Sequence, residues 1–256
     1  MRHEFLVTQL LTARRDGILL ADVPGEHLPA NLDEAYAASD ELAQAINGEV
    51  AGWKIGASIQ RSWQRLGLHE PFGGRIFART VHQHPAVVEH VPDTLTIGAE
   101  FALRIARDLS TGETSFDANG IRAAIDGVFP VLELNRPSYT NPMAIGGLAL
   151  IADNGVNYGL VVGPTVEGWQ SVDLMEVIVS LTLDGELQSS GKAADIGFDP
   201  YEAVAWLAND RAERGDPLRA GQLISSGDLI GPVEANPGST ITADFGSFAR
   251  VEVRLA

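Results

Sequence analysis

The chain contains no cysteine. That excludes a disulfide framework and any thiolate-bound metal, so a metal ion here would need oxygen or imidazole ligands. Positive charge is scarce: 18 Lys and Arg stand against 34 Asp and Glu, a formal net charge of −16. Phosphate binding needs clustered basic residues, so nucleic acid is excluded as a partner, and an anionic membrane surface with it. An acidic small molecule would be repelled at long range and would have to be captured by a local cation. Long apolar runs are missing too, since nothing approaches the ~20 residues of a membrane span. A G-x-S-x-G elbow, a Walker loop and a Rossmann glycine fingerprint are all absent. The six histidines show no ligand spacing, and His82, His84 and His90 fall in a polar connector where solvation is expected.

What is present is the composition of a folded protein: 45% hydrophobic and 20% charged residues over 256 positions, enough to bury a sizeable core. Met1-Arg2-His3-Glu4 leads into Val7, Leu10 and Leu11 at helical spacing, followed by Arg14 and Arg15. That predicts an amphipathic helix rather than an export signal, and a cytoplasmic location. Asn31 can cap a second helix with Glu34 at the capping-box position, and Gly48 suits its end. After a short element over Val50–Ile55, a small helix aligns Ile59, Trp63 and Leu66. From about Arg75 the pattern turns to strands. Phe101, Leu103 and Ile105 alternate with Glu100, Ala102 and Arg104. Val177–Leu183 reads as a strand running into an Asp184-Gly185 hairpin turn. Asp199-Pro200-Tyr201-Glu202 starts a helix that Gly215 stops. Val251, Val253 and Leu255 face inward from a last strand. The prediction is an N-terminal helical region over 1–74 on a β-rich core over 75–256, one integrated unit of the α+β class.

Three features point to chemistry. Lys54 lies in Gly52-Trp53-Lys54-Ile55-Gly56-Ala57-Ser58, a lysine among apolar residues and glycines. It is either a snorkelling lysine on an edge strand or a cation that binds a carboxylate or oxyanion, or an acid–base group with a tuned pKa. Glu100 and Glu133 each stand in a strand-like apolar stretch, where a carboxylate needs a partner. Together they could hold Mg²⁺ with waters completing the octahedron, or each could form a structural ion pair with Arg104, Arg136 or Lys192. Asp153, in Ile151-Ala152-Asp153-Asn154-Gly155, and the Ser225-Ser226-Gly227-Asp228 loop read as polar turns that could also touch a ligand.

Taken in order, these segments resemble the 2-oxopent-4-enoate hydratase and 4-oxalocrotonate decarboxylase branch of the fumarylacetoacetate hydrolase superfamily. Gly52 to Ser58 matches that branch's G-[YW]-K-[IV]-G-x-[ST] segment, and Leu66-Gly67-Leu68-His69-Glu70-Pro71 its L-G-x-x-x-P. Gly98-Ala99-Glu100 through Arg107-Asp108-Leu109 resembles E-A-E-I-A-F-V-L-x-R-D-L. Pro130 to Glu133 matches P-x-[LI]-E, Ala152 to Asn154 the A-D-N turn, and Pro200 to Phe245 the family's closing segments. The likeness covers about nine-tenths of the chain in colinear order. It implies a mixed β-roll core, homo-oligomeric assembly, and a Mg²⁺ or Mn²⁺ site for a small 2-oxo acid or β-dicarbonyl compound. Lys54 then binds or protonates substrate, and Glu100 and Glu133 are two of three metal carboxylates or acid–base groups. Ser58, Arg136, Asp153, Lys192 and Ser226 are implied substrate contacts.

The departures from the pattern bear on the same site. The first acid of the family's E-x-E pair is Gly98, and residues two apart share a strand face, so one carboxylate is lost from the metal's own side. An aspartate after the L-G-x-x-x-P segment is Phe72, the D-S-R triplet becomes Arg136-Pro137-Ser138, and Lys192 replaces a small residue. These changes imply weak metal binding, or metal charge replaced by Lys192 and Arg136. They leave two functions to compare: a lyase- or hydratase-like enzyme acting through an enolate by hydration, decarboxylation, C–C cleavage or tautomerisation, and a non-catalytic homologue that binds a ligand or partners a true hydratase.

Overall fold

The Asn31 side chain accepts from the Glu34 N–H at 2.9 Å, so the second helix starts where its capping signal stands. It ends one residue earlier than Gly48, on Asn47 in the left-handed region at φ 49°. The computed structural model describes residues 3–110 and 115–256; Met1 and Arg2, the first residues of the expected helical start, lie outside them. Helices are α1 (Glu4–Asp16), α2 (Leu32–Ile46), α3 (Gln60–Arg65), α4 (Ala118–Ala124), α5 (Pro142–Ile145), α6 (Gly147–Ala152) and α7 (Pro200–Glu213). Strands are β1 (Val50–Gly56), β2 (Phe72–Phe77), β3 (Val81–Gln83), β4 (Ala86–Val88), β5 (Leu95–Ile105), β6 (Ile125–Asn135) and β7 (Asn157–Val162). They continue with β8 (Val179–Leu183), β9 (Glu186–Gly191), β10 (Leu223–Ser225), β11 (Val233–Ala235), β12 (Thr240–Asp244) and β13 (Arg250–Leu255).

Among the described residues these strands make two mixed sheets. One has eight strands in the order β2-β1-β10-β5-β6-β7-β3, with β11 added on β5, and the other five in the order β4-β13-β12-β8-β9. A boundary at residue 74 therefore runs through β2. The helices before it and the sheet are interleaved because β1, which the sequence left as a short element, pairs parallel with β10 and antiparallel with β2. That approach needs Gly52: a Cβ there would stand 1.9 Å from the Leu223 carbonyl oxygen. The mixed α+β architecture itself is as the sequence predicts.

The alternation along β5 sorts its two faces. Phe101, Leu103 and Ile105 enter a buried cluster with Leu181 and Ile241 of the smaller sheet and Val251 and Val253 of β13. Each such buried side chain contributes roughly 1.5–3 kcal/mol of apolar transfer. On the same side, Trp53 of β1 packs with Leu207 of α7, a helix capped by Asp199 with Pro200 at its first turn. The β8–β9 turn carries Asp184 at φ 50° and Gly185 at φ 87°, the two positive values a type I′ turn requires. His84 departs from simple solvation, because its Nδ1 accepts the Glu252 N–H at 2.8 Å. The opposite face of the large sheet carries Lys54 and the two glutamates beside an apolar cluster of Ala102, Val131 and Leu160, and α3 and α6 contribute walls to the cavity there. No helix among the described residues is long and apolar enough to cross a membrane.

Candidate functional site

Strand register assembles the site. Lys54 on β1 pairs with Ser225 on β10, and Ser225 pairs with Ala102 on β5, so the three lie in one row across the sheet. Glu100 is two residues from Ala102 and shares its face. Glu133 on β6 lies directly opposite Gly98, which makes it a diagonal neighbour of Glu100. Such neighbours stand roughly 7–8 Å apart. Lys54, Glu100 and Glu133, none more than 3% exposed, form the floor of a cavity of about 530 Å³.

The lysine is a buried cation with one carboxylate partner. Its Nζ lies 3.1 Å from Glu133 Oε1 and 5.7 Å from the centre of the Phe72 ring. The aspartate-to-phenylalanine departure thus gives the ammonium a π face in place of a second anion. Gly155, directly after the A-D-N turn, lies against the Lys54 stem. Glu133 Oε2 accepts from Asn135 Nδ2 at 2.6 Å, while its Oε1 has the charge of Lys54 beside it but no hydrogen-bond geometry. Glu100 is held differently: its Oε2 accepts from Ser225 Oγ at 2.6 Å and from the Gly227 N–H at 2.9 Å. Burial first, and the nearby Glu133 charge second, push the Glu100 carboxyl well above the usual range despite those donors and Lys54.

Asp228 is the site residue that the sequence did not single out. It lines the same cavity, its Oδ1 accepts the Ala99 N–H at 3.2 Å, and burial raises its pKa to about 7. It stands beside Gly98. A Cβ built at 98 would stand 3.5 Å from Asp228 Oδ1 and 3.3 Å from Glu100 Oε1. The space next to the glycine, where the family's missing side chain would begin, is bordered by a carboxylate delivered from the β10–β11 connection. The only advance signal was an acid inside a Ser-Ser-Gly loop. Asn135 was missed as well, its role being visible only once β6 places it beside Glu133.

The remaining candidates divide. Ser58 lines the cavity and packs against Gly227, whose φ of 118° and closeness to Ser58 Oγ leave no room for a side chain. Lys192 reaches the cavity rim, where its Nζ pairs with Glu176 at 2.5 Å. The chain's two lysines thus both line this cavity. Three candidates do not. Ser226 is replaced by its neighbour: β10 ends with Ser225 turned to the Glu100 face, and Ser226, fully buried, has no partner for its Oγ. Asp153 accepts from the Ser138 N–H and Oγ and pairs with Arg14, tying α1 to the chain after β6. Arg136 forms a two-pronged pair with Asp93 at 2.7 and 2.8 Å and donates to the Gly17 and Ile18 carbonyls. Its charge is spent there, so it cannot stand in for a metal in the cavity.

The fit to a divalent ion is partial. Among the described residues no three acidic or histidine side chains stand close enough to enclose an ion. The donors present are hard carboxylate oxygens, and Glu133 Oε1, which makes no hydrogen bond, has the Lys54 ammonium 3.1 Å away, so an ion here would share that oxygen with a cation and be held by few protein ligands.

Residues 56–256 match the family described as fumarylacetoacetate (FAA) hydrolase C-terminal. Over 249 residues the chain is 31% identical to the 2-keto-4-pentenoate hydratase of Paraburkholderia xenovorans (strain LB400), covering 93% of this chain and 88% of that one. It is 31% identical over 133 residues to the 4-oxalocrotonate decarboxylase of Pseudomonas putida, 52% of this chain and 50% of the other. Its fold is similar to that of the 4-oxalocrotonate decarboxylase from Pseudomonas putida G7 complexed with magnesium and adipate, with a TM-score of 0.88 at 24% identity, over 98% of this chain and 96% of that one. The chain belongs to the fumarylacetoacetate hydrolase family, and the matched region takes in the acidic floor of the cavity while leaving Lys54 just ahead of it.

Proposed function

We propose that this protein is a hydratase- or decarboxylase-type lyase acting on a small 2-oxo acid through an enolate. The observation that carries this reading is the convergence of Lys54, Glu133 and Glu100 on one buried floor, in a chain whose relatives are hydratases and decarboxylases. A purely structural role for both glutamates would favour a non-catalytic homologue. Glu133 does pair with Lys54, but Glu100 has no cation of its own and lines the cavity with a carboxyl that burial and the Glu133 charge push well above the usual range.

Lys54 holds the substrate carboxylate or the oxygen that gains charge, and Glu133 keeps its ammonium in place. Glu100, oriented by Ser225 and the Gly227 N–H, gives or takes the proton at carbon. Ser58 and Lys192 contact substrate from the wall and rim. Alternatively Glu100 and Glu133, both as carboxylates, would hold a Mg²⁺ or Mn²⁺ ion, which would supply Lewis-acid polarisation of the 2-oxo group. Asp228 brings to that ion's surroundings the negative charge that Gly98 does not, though as oriented it stays tied to Ala99. Weak binding follows from so small a set of protein ligands. Homo-oligomeric assembly, implied by the family resemblance, is part of the reading and is checked by light scattering.

The deciding experiment follows hydration of 2-keto-4-pentenoate and decarboxylation of 4-oxalocrotonate by ultraviolet absorbance, with and without Mg²⁺. Turnover of either, abolished in Lys54→Met, supports the reading. Absence of turnover together with absence of pyruvate binding by calorimetry overturns it.

A further inference from the structure

The cavity floor accounts for one end of a substrate, and the rim holds a second basic group. Arg61 and Arg65 lie one helical turn apart on α3, on the same face, and both line the cavity. Trp63 and Leu66 of the same segment pack onto the buried cluster that contains Phe72, the ring under Lys54. That packing fixes which way α3 turns and presents both guanidiniums to the mouth. Both arginines are exposed, and neither forms an ion pair among the described residues. Lys192, the other basic group at the rim, differs in being engaged by Glu176.

A free pair of guanidiniums is unusual in a chain with a net charge of −16, where carboxylate partners are plentiful. The walls joining floor to rim carry Leu150 and Leu229, apolar surface suited to a short carbon chain. The site thus offers a cation at the bottom, an apolar stretch, and two planar forks at the top. Arginine binds carboxylates bidentately and retains its charge at any working pH.

We propose that the substrate is a 2-oxo dicarboxylate, whose 2-oxo acid end lies on Lys54 and whose distal carboxylate is held by Arg61 and Arg65. This rests on the lyase reading above and narrows it, because a 2-oxo monocarboxylate would leave both guanidiniums without a partner. The preference belongs to binding and not to chemistry, so it is measurable without turnover.

The test compares 2-oxoadipate with 2-oxohexanoate, which differ only in the distal carboxylate, by calorimetry in magnesium-containing buffer. The wild-type protein is expected to bind the diacid about tenfold tighter or more, the range for charge-assisted hydrogen bonds at a partly exposed site. In an Arg61→Met/Arg65→Met variant, which keeps two good helix formers, the ratio of the two dissociation constants should fall to near one. Lysine at both positions should restore part of it, and thermal melts establish that each variant is folded. Equal affinities in the wild type overturn the inference, as does a preference that survives in the double methionine variant. If neither 2-oxo acid binds the wild type, the lyase reading itself falls and this inference with it.

Discussion

At the scale of single residues, the site is governed by how many charges share a small buried space. Lys54 is the one cation on the floor, so Lys54→Met should lower turnover by about 10²–10⁴-fold, the usual weight of a positioned acid–base or charge-stabilising group. A steady-state assay checks this, and a variant with near-wild-type kcat/KM would remove Lys54 from the chemistry. Asp228 offers a pH test with the metal chelated. Its folded pKa of about 7 lies above that of an ordinary carboxylate, so the native protein holds this proton more tightly than the unfolded chain does. The stability tied to the proton is complete below about pH 4 and is lost as pH rises through about 7. Melting in EDTA should therefore show a contribution to the Tm that falls between about pH 4 and pH 7, levels off above, and is removed in Asp228→Asn. An unchanged fall would place the titration elsewhere. Gly98 and Asp228 are further expected to behave as a couple. Gly98→Glu alone brings a new carboxylate against Glu100 and Asp228 and should cost about 1–3 kcal/mol. Combined with Asp228→Ser it should cost less than the sum of the single changes, a coupling read from denaturant melts.

At the scale of elements, the polar ties around the site hold the N-terminal helices onto the sheet. Asp153 joins Arg14 of α1 to Ser138, and Asn154 bonds both the N–H and the carbonyl of Arg75 on β2. Truncating Asp153 to alanine leaves the Arg14 guanidinium, one-fifth exposed, without its carboxylate and two donors of Ser138 without an acceptor. The expected loss is about 3 kcal/mol, the lower end for breaking a buried pair. Ligand affinity at low temperature should be unchanged. A loss of affinity without a loss of stability would return Asp153 to the binding machinery. β1 is the other organising element, because its alternation sends Trp53 to the α7 side and Lys54 to the cavity.

At the scale of the whole molecule, the −16 charge opposes the arrival of an anionic substrate that the local cations then hold. The two effects respond oppositely to salt. Long-range repulsion acts beyond a Debye length of about 10 Å at 0.1 M and is screened first. The association rate of a 2-oxo acid, measured by stopped flow, should therefore rise as salt increases from a low level. A rate that falls throughout would mean that the field at the cavity mouth is set by Arg61, Arg65 and Lys192 and not by the net charge.

Much of this protein is determined by order along the chain. The Asn31 cap, the Asp199-Pro200 start and the Asp184-Gly185 turn act over a few residues, so the elements they begin or join are legible without knowledge of the fold. Strand alternation likewise places Glu100 opposite in facing to Phe101. Which polar residues meet is a different matter, decided by register between strands far apart in sequence. Ser225 and not Ser226 reaches Glu100 because β10 pairs Ser225 with Ala102 and Lys54. Arg136 and Asp153 follow each other closely in motif order with the site residues, yet Asp93 and Arg14 draw them elsewhere. Asp228 could not be recognised as the acid beside Gly98, since 130 positions of chain separate two residues that the fold brings so close that a Cβ built at 98 would stand 3.5 Å from Asp228 Oδ1. Local signals fix elements because their interactions are local, whereas a buried charge finds its partner through the tertiary fold alone.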